Sequence, residues 1–180
     1  SVSRGLGDVY KRQLSRWTAQ PHFCLMLTTF DRRYRHDEMG AVVGDFTRLL
    51  LLEVQRKKGA TFLEHATALG RQLIRDMGHS RFSAVDVLRE LAKDHGEDMT
   101  SSRSAVVFTS ALPLSGDDPF AAADGLGAEL AYAVSQTPQV WLDHQVCEYQ
   151  GQLVYTWDAV EDLFPSGMLD TLFTVYGDFL

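Results

Sequence analysis

Residues Ser135–Asp158, SQTPQVWLDHQVCEYQGQLVYTWD, decide the fold. Two stretches within it, Pro138–Glu148 and Gln152–Asp158, are rich in strand formers and meet at Gln150-Gly151, a pair suited to a tight hairpin turn. The pattern predicts two antiparallel strands. Strand alternation puts Val140, Leu142, His144 and Val146 on one face and Thr137, Gln139, Trp141, Asp143 and Gln145 on the other. A half-exposed strand on a bland surface would carry the same polar residues, so alternation alone leaves both readings open. Trp141 sits between Gln139 and Asp143, an aromatic among hydrogen-bonding groups, and that mixture favours the wall of a cleft.

Upstream of this hairpin the chain alternates strands and helices. Phe23–Phe30 (FCLMLTTF) and Phe46–Val54 (FTRLLLLEV) read as strands, separated by a polar loop from Asp31 to Gly44 with room for one helical turn. Thr61 to Met77 carries an apolar stripe at helical spacing: Phe62, Leu63, Ala66, Leu69, Leu73, Ile74 and Met77. A second helix runs from Ala84 to His95, capped by Ser83 with Asp86 three residues on, and Gly96 is its stop. Ala105–Ser110 (AVVFTS) is a short buried strand, and Ala128–Val134 a short helix. Downstream, Ser166 caps a last helix with the stripe Met168, Leu169, Leu172, Phe173 and Tyr176. Helices mixed with strands, one pair of them a hairpin, predict an α/β two-layer sandwich with a mixed sheet.

Composition narrows the function. With 45% hydrophobic and 23% charged residues the chain can build a real core. A formal charge of −7 argues against unspecific nucleic-acid binding, and the short cluster Arg56, Lys57 and Lys58 reads as a solvated turn. The apolar runs are too short to span a bilayer, and no signal peptide opens the sequence, so a cytoplasmic location without membrane insertion is expected. Cys24 and Cys147 suit neither a disulfide framework nor a zinc site and are read as buried, unbridged thiols. No phosphate loop, GxSxG elbow or metal-spaced histidine pair is present. For His79 and His144 a hydrogen-bonded structural role is the better reading.

Three segments then coincide in order. Gly44–Leu52 is GDFTRLLLL, Val106–Leu112 is VVFTSAL, and SQTPQVWLD at Ser135–Asp143 is followed by Trp157-Asp158. They resemble the motifs of heterocyclization domains, members of the condensation-domain superfamily of nonribosomal peptide synthetases. SAVDVLREL at Ser83–Leu91 is similar to the family's helix before VVFTS. The resemblance covers Leu14 to Leu180. It implies a chloramphenicol-acetyltransferase-like C-terminal lobe, truncated at both ends. Ser1–Gln13, whose GDVYKRQ resembles translated adapter sequence, is set apart as a non-native or unstructured leader.

Such domains join two carrier-bound substrates by a peptide bond. They then cyclise a Cys, Ser or Thr side chain onto the new amide, with loss of water, to a thiazoline or oxazoline. The resemblance implies no directly bound cofactor and no metal. Substrates arrive on the phosphopantetheine of upstream and downstream peptidyl carrier proteins. An adjacent adenylation domain and the N-terminal lobe, with the family's DxxxxD motif, would be the other partners. Dehydration needs a group that both gives and takes a proton. Asp143 is the catalytic candidate, with Trp141 as apolar neighbour. Thr109 would hydrogen-bond the departing hydroxyl or orient Asp143. Gln136, Gln139, Trp141 and Ser110 would contact substrate, whereas Asp45 and Asp158 read as structural. Cys24 is no nucleophile in this family. The alternatives are a non-catalytic lobe that docks carriers and a condensation domain that forms only the peptide bond.

Overall fold

In the computed structural model, residues 22–30, 36–55, 59–95, 106–112, 131–132, 134 and 139–180 are described. Five strands form one mixed sheet in the order β2-β1-β3-β4-β5. They are β1 (His22–Phe30), β2 (Thr47–Gln55), β3 (Val106–Ala111), β4 (Leu142–Tyr149) and β5 (Gln152–Ala159). β1 pairs antiparallel with β2 and parallel with β3, β3 runs parallel to β4, and β4 turns back onto β5. The helices are α1 (Phe62–Gly78), α2 (Ala84–His95) and α3 (Met168–Phe179). A 3-10 turn at Asp37–Ala41 occupies the polar loop expected between the first two strands.

Alternation along the strands sorts the core into two clusters. One face carries Leu25, Leu27, Leu50, Leu52, Val54, Phe108, Leu142 and Val146, covered by Leu69 and Leu73 of α1 and Tyr176 of α3. The other face carries a smaller cluster, Met26, Val107 and Val140, beneath Ala84 and Leu88 of α2. The Leu49–Leu52 run is thereby explained. Leu50 and Leu52 point to the first face and Leu49 and Leu51 to the second, and a strand packed on both sides has no polar face to show.

Local chemistry sets the ends. Thr61 and Glu64 exchange hydrogen bonds as a capping box on α1, and Ser83 and Asp86 do the same on α2. Gln150 and Gly151 both have positive φ, 50° and 72°, the type I′ pattern that matches strand twist across a two-residue hairpin.

Four expectations are corrected. β4 starts at Leu142, not Pro138, because Gln139 turns through φ 66°, outside the extended region. That turn breaks the alternation ahead of Leu142, so Val140 packs with Met26 and Val107 and not with Leu142 and Val146. The last helix is capped by Gly167 at φ 73°, not by Ser166. Ala131, Tyr132 and Val134, the described part of the expected helix over Ala128–Val134, are not helical. Cys24 and Cys147 are half-buried and form no disulfide. Residues 1–13, Arg56–Lys58 and Gly96 lie outside the described residues.

Candidate functional site

β4 divides its side chains between two environments. His144 points to the first face and is fully buried among Phe108, Trp157 and Tyr176, with ring centroids 5.0, 5.7 and 4.9 Å away. Burial lowers its pKa to about 3, so the imidazole is neutral at physiological pH. The same cage holds the Tyr176 phenol well above its ordinary pKa, chiefly through burial. His144 is a packing residue, held by ring contacts.

Asp143 and Gln145 point the other way. On that face the strand register lines up two rows. Val107, Asp143 and Asp158 are register partners across β3, β4 and β5, and Thr109, Gln145 and Thr156 form the next row. Asp143 is 5% exposed, and Gln145 Nε2 donates to its Oδ2 at 3.4 Å. Thr109 Oγ1 donates to Thr28 Oγ1 of β1 at 2.8 Å. Thr109 and Asp143 are thus diagonal neighbours on adjacent parallel strands, with Gln145 adjoining both. The arrangement gathers Asp143, Gln145 and the Thr28–Thr109 hydroxyl pair, with Asp158 and Thr156 completing the rows on β5, on the part of the face that α2's apolar contacts do not reach.

The other expected site residues distribute unevenly. Trp141 lies in the bend just before β4, 39% exposed, and its carbonyl accepts from Val160 N–H at 3.0 Å. Gln139 is exposed in the preceding turn. Ser110 follows Thr109 on β3, so alternation turns it toward the face of Phe108 and Val146, away from Asp143. Gln136 lies outside the described residues. Asp45 accepts from Thr47 N–H at 2.8 Å, and hydrogen bonds from the Thr47 side chain and backbone hold its carboxyl below the usual carboxylate range. The aspartate of GDFT therefore shapes the turn into β2. Sequence reasoning assigns no role to Thr28 or Gln145, which the structure brings to Thr109 and Asp143. Gln145 carried a signal, its place on the polar face, whereas nothing near Thr28 reveals that its partner is 81 residues away.

Among the described residues no group of three or more His, Cys, Asp or Glu could hold a metal ion, and no helix is long and apolar enough to cross a membrane. No protein-family model matches the chain. Over 165 residues it is 40% identical to pyochelin synthetase PchF of Pseudomonas aeruginosa, an alignment covering 91% of the chain and 9% of that protein. Over 171 residues it is 37% identical to phenyloxazoline synthase MbtB of Mycobacterium tuberculosis, covering 94% of the chain and 12% of that protein. The chain thus spans only a small part of the curated relatives it matches. Among solved structures, the cyclization-docking bidomain of the nonribosomal peptide synthetase EpoB from Sorangium cellulosum superposes with a TM-score of 0.80 at 31% identity. That superposition covers 98% of the chain and 35% of the bidomain. The α/β fold with its mixed sheet, the ordered motifs and these relatives agree: the chain belongs to the heterocyclization domains of nonribosomal peptide synthetases and corresponds to the C-terminal half of such a domain.

Proposed function

We propose that this chain supplies one wall of a heterocyclization active site, with Asp143 and Thr109 at the reacting atoms. The observation that carries the reading is the placement of Asp143, buried and hydrogen-bonded by Gln145, diagonally beside Thr109 on one sheet face. The names of two relatives, a pyochelin synthetase and a phenyloxazoline synthase, and the cyclization-docking bidomain support ring formation as the chemistry. The substrates are an acyl group and a Cys, Ser or Thr, each carried on the phosphopantetheine of a peptidyl carrier protein in the cytoplasm. An adenylation domain loads them, and the N-terminal lobe closes the site.

Chemistry proceeds in two parts after amide formation. The substrate's thiol or hydroxyl adds to the amide carbonyl carbon, forming a C–S or C–O bond and moving a proton to the carbonyl oxygen. The resulting tetrahedral carbon bears a hydroxyl. Loss of water breaks that C–O bond, takes the proton from nitrogen and forms C=N. Asp143 gives a proton to the departing hydroxyl and accepts the one from nitrogen, so the carboxyl ends as it began. Thr109 orients the hydroxyl, and Trp141 borders the substrate's path.

The test uses the full domain with a carrier-bound acyl donor and carrier-bound cysteine, followed by mass spectrometry. Asp143→Ala is expected to form the amide but not to lose the one water that marks the ring. Equal dehydration by variant and wild type would remove Asp143 from the reaction. A wild-type domain that yields only the uncyclised amide would establish a condensation domain instead.

A further inference from the structure

We propose that Thr28 is a positioning residue for cyclodehydration, acting through Thr109. The inference rests on the function proposed above and extends the site to β1, a strand that none of the motif residues occupies. Its basis is the 2.8 Å hydrogen bond from Thr109 Oγ1 to Thr28 Oγ1. A threonine hydroxyl has one proton to give and two lone pairs to accept with. Giving its proton to Thr28 fixes the Thr109 rotor and leaves Thr109 facing the site as an acceptor. In that state it takes the O–H of the tetrahedral carbon's hydroxyl, which turns the oxygen's remaining lone pair toward an acid on the neighbouring strand. Asp143 lies there, one row away on β4. Without Thr28 the Thr109 rotor is loose, and its own proton competes for the same oxygen.

Packing alone does not require a hydroxyl at position 28. The residue is half-buried in a strand, next to the apolar Leu27, and valine has the same shape and an equal or better strand propensity. Removing a hydroxyl where its partner retains other options costs the fold little. Any loss confined to ring closure therefore reports the orientation of Thr109.

In the full domain, with carrier-bound acyl donor and carrier-bound cysteine, the ratio of dehydrated to undehydrated product is read for Thr28→Val, Thr28→Ser, Thr109→Val and the Val/Val double variant. Thr28→Val is expected to slow ring closure about tenfold, the effect of one hydrogen bond in the transition state, with amide formation unchanged. Thr28→Ser restores ring closure, and Thr28→Val adds nothing to Thr109→Val because the one acts through the other. Should the valine variant not fold, Thr28→Ala is read in the same way beside Thr28→Ser. The proposal is overturned by wild-type ring closure in Thr28→Val or by an undiminished effect in the Thr109→Val background. A joint fall of amide and ring with a lowered melting temperature overturns it too. Failure of the wild-type domain to dehydrate any of Cys, Ser or Thr overturns the underlying function, whatever the variants do.

Discussion

Adjacent residues of β4 have opposite fates, His144 sealed among aromatic rings and Gln145 set beside the Asp143 carboxylate. Each difference is measurable. Because the His144 pKa falls to about 3 from an ordinary 6.5, protonation below pH 6.5 takes place first in the unfolded chain. Stability is therefore unaffected by this residue above pH 6.5 and declines between pH 6.5 and 3, by about 1.4 kcal/mol per pH unit. His144→Phe, which keeps a ring in the cage, is expected to remove that slope from melting temperatures of the full domain measured at pH 7 and pH 5. An unchanged difference between the two pH values would count against a neutral, buried imidazole. For Gln145, replacement by Leu removes the donor to Asp143. Ring closure should fall roughly tenfold while amide formation persists, since losing one positioning hydrogen bond costs about 1.4 kcal/mol in the transition state. Wild-type cyclisation by Gln145→Leu would show that the carboxylate needs no such support.

Elements start and stop where single residues allow it, and two glycines bear this out. Gly151 sits at φ 72° in the hairpin, so Gly151→Ala is expected to destabilise by about 1 kcal/mol, seen as a lower denaturation midpoint. Gly177 lies inside α3, where a glycine ordinarily weakens a helix. A Cβ there would stand 2.6 Å from the Tyr155 hydroxyl, whose ring packs against Phe173 and Tyr176. Gly177→Ala should therefore destabilise by about 1–3 kcal/mol in spite of its better helix propensity, and a stabilised variant would refute the clash. Much at this scale was legible. The hairpin, the α2 capping box and the helical spacing of α1 are local patterns and survive folding, although of α1's apolar stripe only Leu69 and Leu73 pack on the core while Phe62, Leu63, Ile74 and Met77 stay exposed. The start of β4 was not legible, because a glutamine with positive φ carries no composition signal. Ser166 reads as the cap of α3 because serine is the commoner N-cap, and only the backbone geometry at Gly167 separates the two. The site was half legible. Asp143 and Thr109 stand in motifs, whereas Thr28 reaches Thr109 through a parallel pairing that no local pattern encodes.

At the scale of the molecule, the sheet presents one well-covered face and one that joins an apolar corner under α2 to a polar field across β3, β4 and β5. The chain alone, which spans 35% of the EpoB bidomain, is expected to show no cyclised product under conditions where the full domain turns over; turnover by the 180-residue chain would overturn this. The mixed topology also fixes a schedule of assembly. The β4–β5 hairpin closes over two residues and belongs to the microsecond class of events, while the contact between Thr28 and Thr109 must close a loop spanning 81 residues. Pairing of distant parallel strands is the slow part of such topologies. In refolding, the reactive row is thus expected among the last parts of the sheet to assemble, after the hairpin that carries Asp143 has closed.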